Sequence, residues 1–476
     1  MAIRKQWLRR YAVAIGGRNS RMNVPASNPA FLVRGSTTYR TDVVTRSFSR
    51  QGRRMAKVER SSGKIGKTGR RTTGRYRYAL GLMAGTSGDG IDAAVIRVEG
   101  RGEAMQVRFV LHHQVAFDRR FRNRLLAAMA PATTTTQEIA RLHAELGEAF
   151  GRVAREAIEQ LPRAHRPMVI GLAGQTVCHL PGRAGSRTVT LQLGNAATVA
   201  AMTGLPVVFD FRQTDVAVGG QGAPLVPWTD YVLFKSKSTS WAVQNIGGIG
   251  NVTWVPAGGR AADVIAFDTG PGNMVIDGLV ARMSGGRWRM DRDGRLAAKG
   301  RVLESVLAEW LKLPFFRQRP PRTTGRELFG QIFVNAELDR LRSASAVPED
   351  WIATATAFTA RTIAASYRRF LSDFSTRKPD RAASRVPSGA ARPRRPAQVV
   401  LTGGGSRNKT LISMLQAELP GTPILTIDEL GIPAQAKEAV SFAMLAIARL
   451  DGTPSNLPAV TGATRSVSLG CLCPQL

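Results

Sequence analysis

Leu80-Gly81-Leu82-Met83-Ala84-Gly85-Thr86-Ser87-Gly88-Asp89-Gly90-Ile91-Asp92 is the stretch whose reading decides the fold. Upstream, Arg75-Tyr76-Arg77-Tyr78-Ala79-Leu80 alternates, and Leu80-Gly81-Leu82-Met83 continues as a buried strand. A glycine-spaced turn follows, then Asp92–Val98 and Met105–Phe117, both strand-like. The pattern is a three-strand meander whose first hairpin has a glycine-rich tip. Closely spaced glycines let backbone N–H groups turn toward an oxyanion, and Thr86 and Ser87 add hydroxyl donors. Asp89 or Asp92 is placed to hold a magnesium ion, directly or through water. The same string also fits an ordinary Gly-Asp hairpin turn.

Downstream, Ile139, Leu142, Leu146, Phe150, Val153, Ile158 and Leu161 recur at helical steps on one face. Met168–Leu172, Thr188–Leu193 and Pro206–Phe209 read as short strands, with a helix near 196–202. The pattern then restarts. Trp241–Ile246 is a strand, Gly247-Gly248-Ile249-Gly250 a glycine turn, and Asn251–Val255 and Val264–Phe267 are further strands. Helices are expected near 273–283, 297–312, 327–342 and 350–372, then a strand at Gln398–Thr402 and a last helix at 434–449. Two β-β-β units with glycine hairpins, each followed by helices and strands, predict a duplicated α/β architecture with a cleft between the halves.

The chain has 476 residues with 67 Lys+Arg against 34 Asp+Glu, a formal charge of +33. Such an excess ordinarily points to nucleic acid or an anionic membrane. Its distribution argues otherwise. Residues 1–77 hold 20 basic residues and only Asp42 and Glu59 as acids, a net of +18. Arg377–Pro396 adds a net of +6, leaving +9 for everything else. Both basic segments lack periodicity and are rich in Ser, Gly, Thr and Pro, so they are expected to be a disordered extension and a surface-loop insertion (376–396). A nucleic-acid or membrane arm and a transit-like segment are the other readings of 1–77. Gly66-Lys67-Thr68 ends like a phosphate loop, but the first glycine of that pattern falls on Ser61. Apolar runs are too short for a membrane span. Cys178, Cys471 and Cys473 form no disulfide framework, which fits a reducing, cytoplasmic setting. HExxH, CxxC and GxSxG spacings are absent, which excludes the commonest zinc and serine-hydrolase sites.

Four further segments carry chemistry. Gly247-Gly248-Ile249-Gly250-Asn251 opens the second repeat as the first hairpin opens the first. Gly403-Gly404-Gly405-Ser406-Arg407-Asn408 lies between a strand and a helix, where backbone can approach a flat ligand such as adenosine; a plain strand-to-helix turn fits as well. Asp210-Phe211-Arg212-Gln213-Thr214-Asp215 ends a strand and precedes the loop Gly219-Gly220-Gln221-Gly222-Ala223-Pro224. An arginine and carboxylates there suit a polyhydroxylated anionic ligand, or a buried ion pair that closes a domain. Asp268 ends the apolar strand Val264–Phe267, so it is either a base with a raised pKa or a turn aspartate near a helix start.

Taken in order, these segments resemble the anhydro-N-acetylmuramic acid kinases. The likeness is carried by Gly81–Asp92, Gly174-Gln175-Thr176-Val177, Leu193-Gly194-Asn195, Asp210-Phe211-Arg212, Gly219–Pro227, Asn245–Asn251, Phe267–Asn273, Leu401–Asn408 and Lys437-Glu438-Ala439, over about residues 78–449. The resemblance implies the superfamily of sugar kinases, heat-shock chaperones and actin, with two ribonuclease-H-like domains around an ATP cleft. It implies that ATP, with Mg²⁺, phosphorylates 1,6-anhydro-N-acetylmuramic acid as its ring is opened by water. Asp268 is then the base and a sugar contact, joined by Gln175, Thr176 and Arg212. Gly85, Thr86, Ser87, Gly88, Asp89, Gly90, Ile91 and Asp92 form the first phosphate loop. Gly247, Gly248, Asn251, Gly403, Gly404 and Gly405 serve the nucleotide from the second half. A homodimer is the expected assembly.

The domains expected on this basis are 78–215, a substrate loop and connection at 216–240, a second domain at 241–462 and a tail at 463–476. Three residues depart from the family's usual pattern. Gly88 stands for a bulky apolar residue, which predicts a flexible loop and tighter nucleotide binding in Gly88→Leu. Ala84 stands for Ser, and Ala173 for a His before Gly-Gln-Thr. A related kinase for another amino sugar and a non-catalytic ATP-binding module with a nucleic-acid arm are the rival readings. Residues 1–77 precede the family's usual start, so they are a true arm or an over-called start.

Overall fold

The computed structural model describes residues 36–40, 76–129, 134–182, 186–371 and 396–476, all within one unit, Arg34–Leu476. The Gly66-Lys67-Thr68 string and nearly all of the 376–396 insertion lie outside the described residues. Two sheets organise the rest. The first is ordered β1-β4-β3-β2-β5-β7-β13, with β6 pairing β5. Its strands are β1 (Ser36–Arg40), β2 (Arg77–Ala84), β3 (Gly90–Glu99), β4 (Gln106–Ala116), β5 (Ile170–Leu180), β6 (Val189–Leu193), β7 (Val207–Phe209) and, far along the chain, β13 (Cys471–Cys473). The second sheet is ordered β10-β9-β8-β11-β12, from β8 (Trp241–Ile246), β9 (Ile249–Val255), β10 (Ile265–Pro271), β11 (Gln398–Thr402) and β12 (Ile424–Thr426). The meander and its repeat are as expected: β2-β3-β4 and β8-β9-β10 are antiparallel, and β5 and β11 then add parallel to β2 and β8.

Helices follow the sequence periodicity, with breaks at glycine. α1 is Arg119–Met129, and α2 is Thr136–Glu159, the amphipathic run, whose Thr135 Oγ1 caps the N–H of Glu138. α3 (Ala196–Thr203), α4 (Phe211–Ala217) and α5 (Val226–Phe234) complete the first half. α6 is Met274–Met283. The helix expected over 297–312 is instead a short turn and α7 (Glu304–Leu311), because Gly300 is extended. There the Arg301 N–H bonds to Asp350 Oδ1 and the Leu303 N–H to Thr354 Oγ1 rather than to helical carbonyls. The 327–342 helix is likewise split at Gly330 into α8 (Arg326–Phe329) and α9 (Gln331–Ala344). α10 (Pro348–Ser366), α11 (Lys409–Glu418), α12 (Lys437–Leu450) and α13 (Pro458–Thr461) follow.

Three expectations need correction. Residues 36–40, expected within a disordered extension, pair antiparallel with β4, from Ser36↔Val115 to Arg40↔Leu111. Thr-Thr-Tyr favours strand, and β4 offers an unpaired edge. The tail is not irregular: β13 pairs antiparallel with β7 and extends the first sheet. α12, assigned to the second domain, packs on β2, β3 and β5 of the first. Glycine explains the last point. Gly81 and Gly171 are register partners in β2 and β5, and a Cβ on them would lie 1.8 Å from the Ala439 carbonyl oxygen and 2.2 Å from that of Phe442. Only glycine allows the α12 backbone so near the sheet.

This docking also joins the halves. One hydrophobic cluster contains Ala79, Ala94 and Ile96 of the first sheet, Val243, Val255 and Val400 of the second, and Trp228, Phe442 and Met444 from α5 and α12. Buried side chains of this size contribute roughly 1.5–3 kcal/mol each. Lys437 and Asp230 add a buried ion pair of 2.6 Å between α12 and α5.

Candidate active site

Both sheets bring their glycine turns to the carboxyl ends of parallel strands. In the first sheet Ala84 is opposite Gln175, so the hairpin Gly85–Asp89 leaves β2 beside the kink in β5. The Gly88 N–H closes the turn onto the Gly85 carbonyl at 3.0 Å. Arg122 of α1 braces the tip, donating to the Gly88 and Ser87 carbonyls at 3.1 Å each and pairing with Asp89 Oδ1 at 2.8 Å. Asp89 is thus occupied by an arginine, whereas Asp92 shares only Oδ1, with His112 Nε2 at 2.8 Å. Ile91 is buried beneath the hairpin, and Gly90 abuts the Val115 carbonyl.

Gly88 reverses one expectation. Its φ is +63°, and a Cβ would meet Leu126 Cδ2 at 3.3 Å. A left-handed conformation costs an L-residue about 1–2 kcal/mol. Gly88→Leu is therefore expected to displace the tip and weaken ATP binding by about tenfold, read by equilibrium titration of ATP on native and variant protein. Equal or tighter binding by the variant would restore the sequence-based expectation.

Gln175 is fully buried and donates to the Gly85 carbonyl at 3.2 Å, so it ties β5 to the hairpin. Its Oε1 is buried without a partner, as is Oε1 of Gln192, whose Nε2 donates to Thr176 Oγ1 at 3.3 Å. Gln192 escaped the sequence reading because it sits in the exposed-looking alternation of β6.

Past β7 the backbone turns sharply. Asp210 has φ 55°, a left-handed conformation uncommon for a non-glycine residue, and burial raises its pKa. Asp215 is buried and closes the loop, but through neutral donors rather than the ion pair weighed for it. Its Oδ1 accepts from Asn456 Nδ2 and Thr461 Oγ1 at 2.8 Å each, and its Oδ2 accepts from the Gly222 N–H at 2.9 Å. Arg212 is different. It donates to the Gly222 carbonyl at 2.9 Å, and no carboxylate among the described residues lies within ion-pair distance. Desolvation lowers its pKa, with Glu438 acting oppositely. Glu438, at the start of α12, is exposed, and desolvation raises its pKa. Arg212 favours its charged form and Asp92 opposes it. Glu438 thus joins Asp92 and Arg212 in one electrostatic group; the motif Lys437-Glu438-Ala439 marked the position without a role.

In the second sheet, register places Asp268 opposite Asn251, Asn251 opposite Asn245, and Asn245 opposite Thr402. One row across four strands therefore leads from Asp268 to Gly403. Asn245 and Thr402 are linked at 3.3 Å. The tips converge on Asn273: its N–H donates to the Gly247 carbonyl at 2.7 Å, and a Cβ on Gly405 would come within 3.1 Å of its Oδ1. The Gly248 carbonyl accepts from Gly272 at 2.9 Å, and Gly404 lies beside Asn273. Gly403 has φ +77° with Asn245 at its Cβ position, so this turn demands glycine. The segment after α6 lines the same region, since Thr410 Oγ1 donates to the Gly294 carbonyl at 2.7 Å. Asp277 on α6, facing Asp291, is pushed up to about 7 by burial and that neighbour.

Asp268 lies at a bulge in β10. Its Oδ2 accepts from Thr323 Oγ1 at 3.0 Å and the Thr324 N–H at 2.8 Å, while no described residue donates to Oδ1. Burial raises its pKa; the bonds from Thr324 and Thr323 and the charge of Arg322 pull the other way. Arg322 is buried against Phe267, Phe315 and Phe370 and donates to the Asp268 carbonyl at 2.9 Å. The Arg322-Thr323-Thr324 strap was invisible to sequence reasoning, since no spacing links it to Asp268. Asp268 is therefore neither a helix cap nor an ion-paired residue. One oxygen is fixed and the other is available to a water.

The family model of anhydro-N-acetylmuramic acid kinase matches residues 77–377 and 383–475. The chain belongs to the anhydro-N-acetylmuramic acid kinase family. Family members carrying that name from Caldanaerobacter subterraneus subsp. tengcongensis and Salinibacter ruber are similar to it. The first is 41% identical over 399 residues, covering 83% of this chain and 96% of the relative. The second is 39% identical over 404 residues, again 83% and 96%. Among solved structures, the activator of the 2-hydroxyisocaproyl-CoA dehydratase from Clostridium difficile with bound ADPNP superposes with a TM-score of 0.34 at 14% identity, covering 78% of this chain and 94% of that one, too distant to bear on the site. The kinase-family match reaches residue 475, so the segment expected as a tail belongs to the family's body, as its pairing with β7 requires. Among the described residues no helix is long and apolar enough to cross a membrane.

Proposed function

We propose that this protein is the ATP-dependent kinase that opens the 1,6-anhydro ring of 1,6-anhydro-N-acetylmuramic acid and phosphorylates O6. The products are ADP and N-acetylmuramic acid 6-phosphate, a step of peptidoglycan recycling and amino-sugar catabolism. The observation that carries this reading is Asp268: a carboxylate with raised proton affinity, one oxygen fixed and the other free, level with the glycine turns of its sheet. The ether oxygen O6 has no proton to remove, so a base serves only to activate water. Asp268 takes the water's proton as the oxygen bonds to the anomeric carbon. The C1–O6 bond breaks, and O6 bonds to the γ-phosphorus as the bond to the β-phosphate oxygen breaks. Holding these groups in line supplies much of the rate, and glycine hairpins aimed at phosphate oxygens supply charge stabilisation.

Arg212 binds the acidic sugar, and the orphan amide oxygens of Gln175 and Gln192 suit its hydroxyl and amide donors. Such buried acceptors cost about 1–3 kcal/mol each until paired. Among the described residues no cluster of three metal-ligating side chains occurs, which fits Mg²⁺, an ion that needs only one or two carboxylates beside phosphates and water. Asp92, whose Oδ2 receives no bond from the described residues, would hold it, and the ion neutralises phosphate charge when bound. The test is ADP release with anhydro-N-acetylmuramic acid, with and without the sugar. Sugar-independent or absent release from folded protein would overturn the proposal.

A further inference from the structure

Arg322, which donates to the Asp268 carbonyl, also lines a cavity of about 270 Å³ together with Arg361, Arg368, Arg369, Phe316 and Phe370. We infer that this arginine pocket is a second binding site, for a small, multiply charged oxyanion of the phosphate class, distinct from the nucleotide and sugar sites.

Charge balance argues for it. Arg361 is held by Glu304 through two 2.6 Å bonds and by Glu418 at 3.3 Å, and Arg368 pairs with Glu418 at 3.1 Å. Arg322 and Arg369 have no carboxylate within 4.0 Å among the described residues. Arg322 meets only neutral oxygens: the Asp268 carbonyl at 2.9 Å, the Gln318 carbonyl at 3.2 Å and Ser366 Oγ at 2.8 Å. Arg369 meets the Phe316 and Arg317 carbonyls at 3.0 and 3.3 Å. Arg322 is only 6% exposed. Its pKa is pushed down to about 10, first by burial and then by the charge of Arg369, with Asp268 acting oppositely. Two guanidiniums that repel each other line the cavity, one of them buried, and among the described residues neither is in ion-pair contact with a carboxylate; Asp268 offsets Arg322 only from beyond that distance. Guanidinium forks match phosphate oxygens geometrically, and aromatic walls strengthen the interaction by lowering the local dielectric.

The pocket is separate from the nucleotide turn. Glu418, its acidic neighbour, ends α11, whose start follows the Gly403–Arg407 turn; ten residues of helix span about 15 Å. It is nonetheless adjacent to Asp268, because Arg322 contacts both.

Isothermal titration calorimetry of pyrophosphate into metal-free protein preloaded with ADP tests the site, the nucleotide excluding the ligand from the phosphate hairpins. One equivalent is expected to bind to the native protein. Arg369→Ala, an exposed position whose loss leaves the core intact, is expected to weaken binding at least about tenfold, and Arg369→Lys to retain part of it. Circular dichroism confirms folding, with Arg369→Gln as the replacement should the alanine variant not fold. Absence of binding to the native protein, or equal affinity in the Arg369 variants, would overturn the assignment.

Discussion

Asp268→Asn is expected to lower sugar-dependent ADP release by about 10³-fold, within the range that removal of a general base produces, while leaving the fold and ATP affinity intact. The amide is the same size, and its oxygen still accepts the bonds that Thr323 and Thr324 now donate to Oδ2, so stability is held. What it lacks is a site for the water's proton. The pH profile gives an independent check on the native enzyme. Burial raises the Asp268 pKa above the ordinary value near 3.9. The reacting form is the carboxylate, so turnover falls as pH drops through that raised value. The acid limb of kcat/KM is therefore expected above the usual aspartate range, and it should vanish with the residual activity of Asp268→Asn. An acid limb at the unperturbed position would assign the base elsewhere. Unchanged turnover in the variant would remove Asp268 from the mechanism altogether.

The parts of this site that were legible in the sequence are those with local signatures. Gly81–Asp92 and Asn245–Asn251 specify hairpins because turn and strand residues alternate within a dozen positions. Asp268 was legible because an apolar strand ends in a polar glycine turn. The groups that tune it were not. Thr323, Thr324 and Arg322 reach Asp268 across more than fifty residues, and nothing in a run such as Arg-Pro-Pro-Arg-Thr-Thr announces a partner. The domain boundary failed for a related reason. Helix α12 follows the second sheet in sequence, yet its docking face was chosen by Gly81 and Gly171, more than 250 residues away. A pair of strand glycines is an ambiguous signal until the helix they admit is known. Composition misled in the other direction at Ser36–Arg40, where a five-residue strand needs only an open edge and β-branched side chains, not a hydrophobic run. The +33 charge, for its part, does not describe the catalytic body, which holds only +9 outside the two basic segments.

Arg212→Met is expected to raise KM for anhydro-N-acetylmuramic acid by about 100-fold, with KM for ATP nearly unchanged. The estimate follows from losing charge-assisted bonds worth about 1.5–3 kcal/mol, each 1.4 kcal/mol being a factor of ten. Methionine preserves much of the bulk of the arginine stem, so the change isolates the guanidinium. Its surroundings explain why an arginine is kept there. No carboxylate pairs with Arg212 directly, but its charge favours the ionised form of Glu438, and Asp92 opposes that form. Burial, and after it the charge of Arg212, lowers the pKa of His179. A guanidinium with no ion-pair partner among the described residues retains binding capacity for an incoming anion, whereas one closed in an ion pair does not. The rival role is structural: Arg212 also holds the Gly222 carbonyl, and Gly222 is anchored independently by Asp215. The two roles separate cleanly. Loss of the structural bond alone would lower the melting temperature and leave KM for the sugar in place, because Asp215 still fixes the loop. Loss of substrate recognition raises that KM with little change in melting temperature. Steady-state kinetics and a thermal melt on the same variant therefore decide whether Arg212 meets the sugar or only the loop.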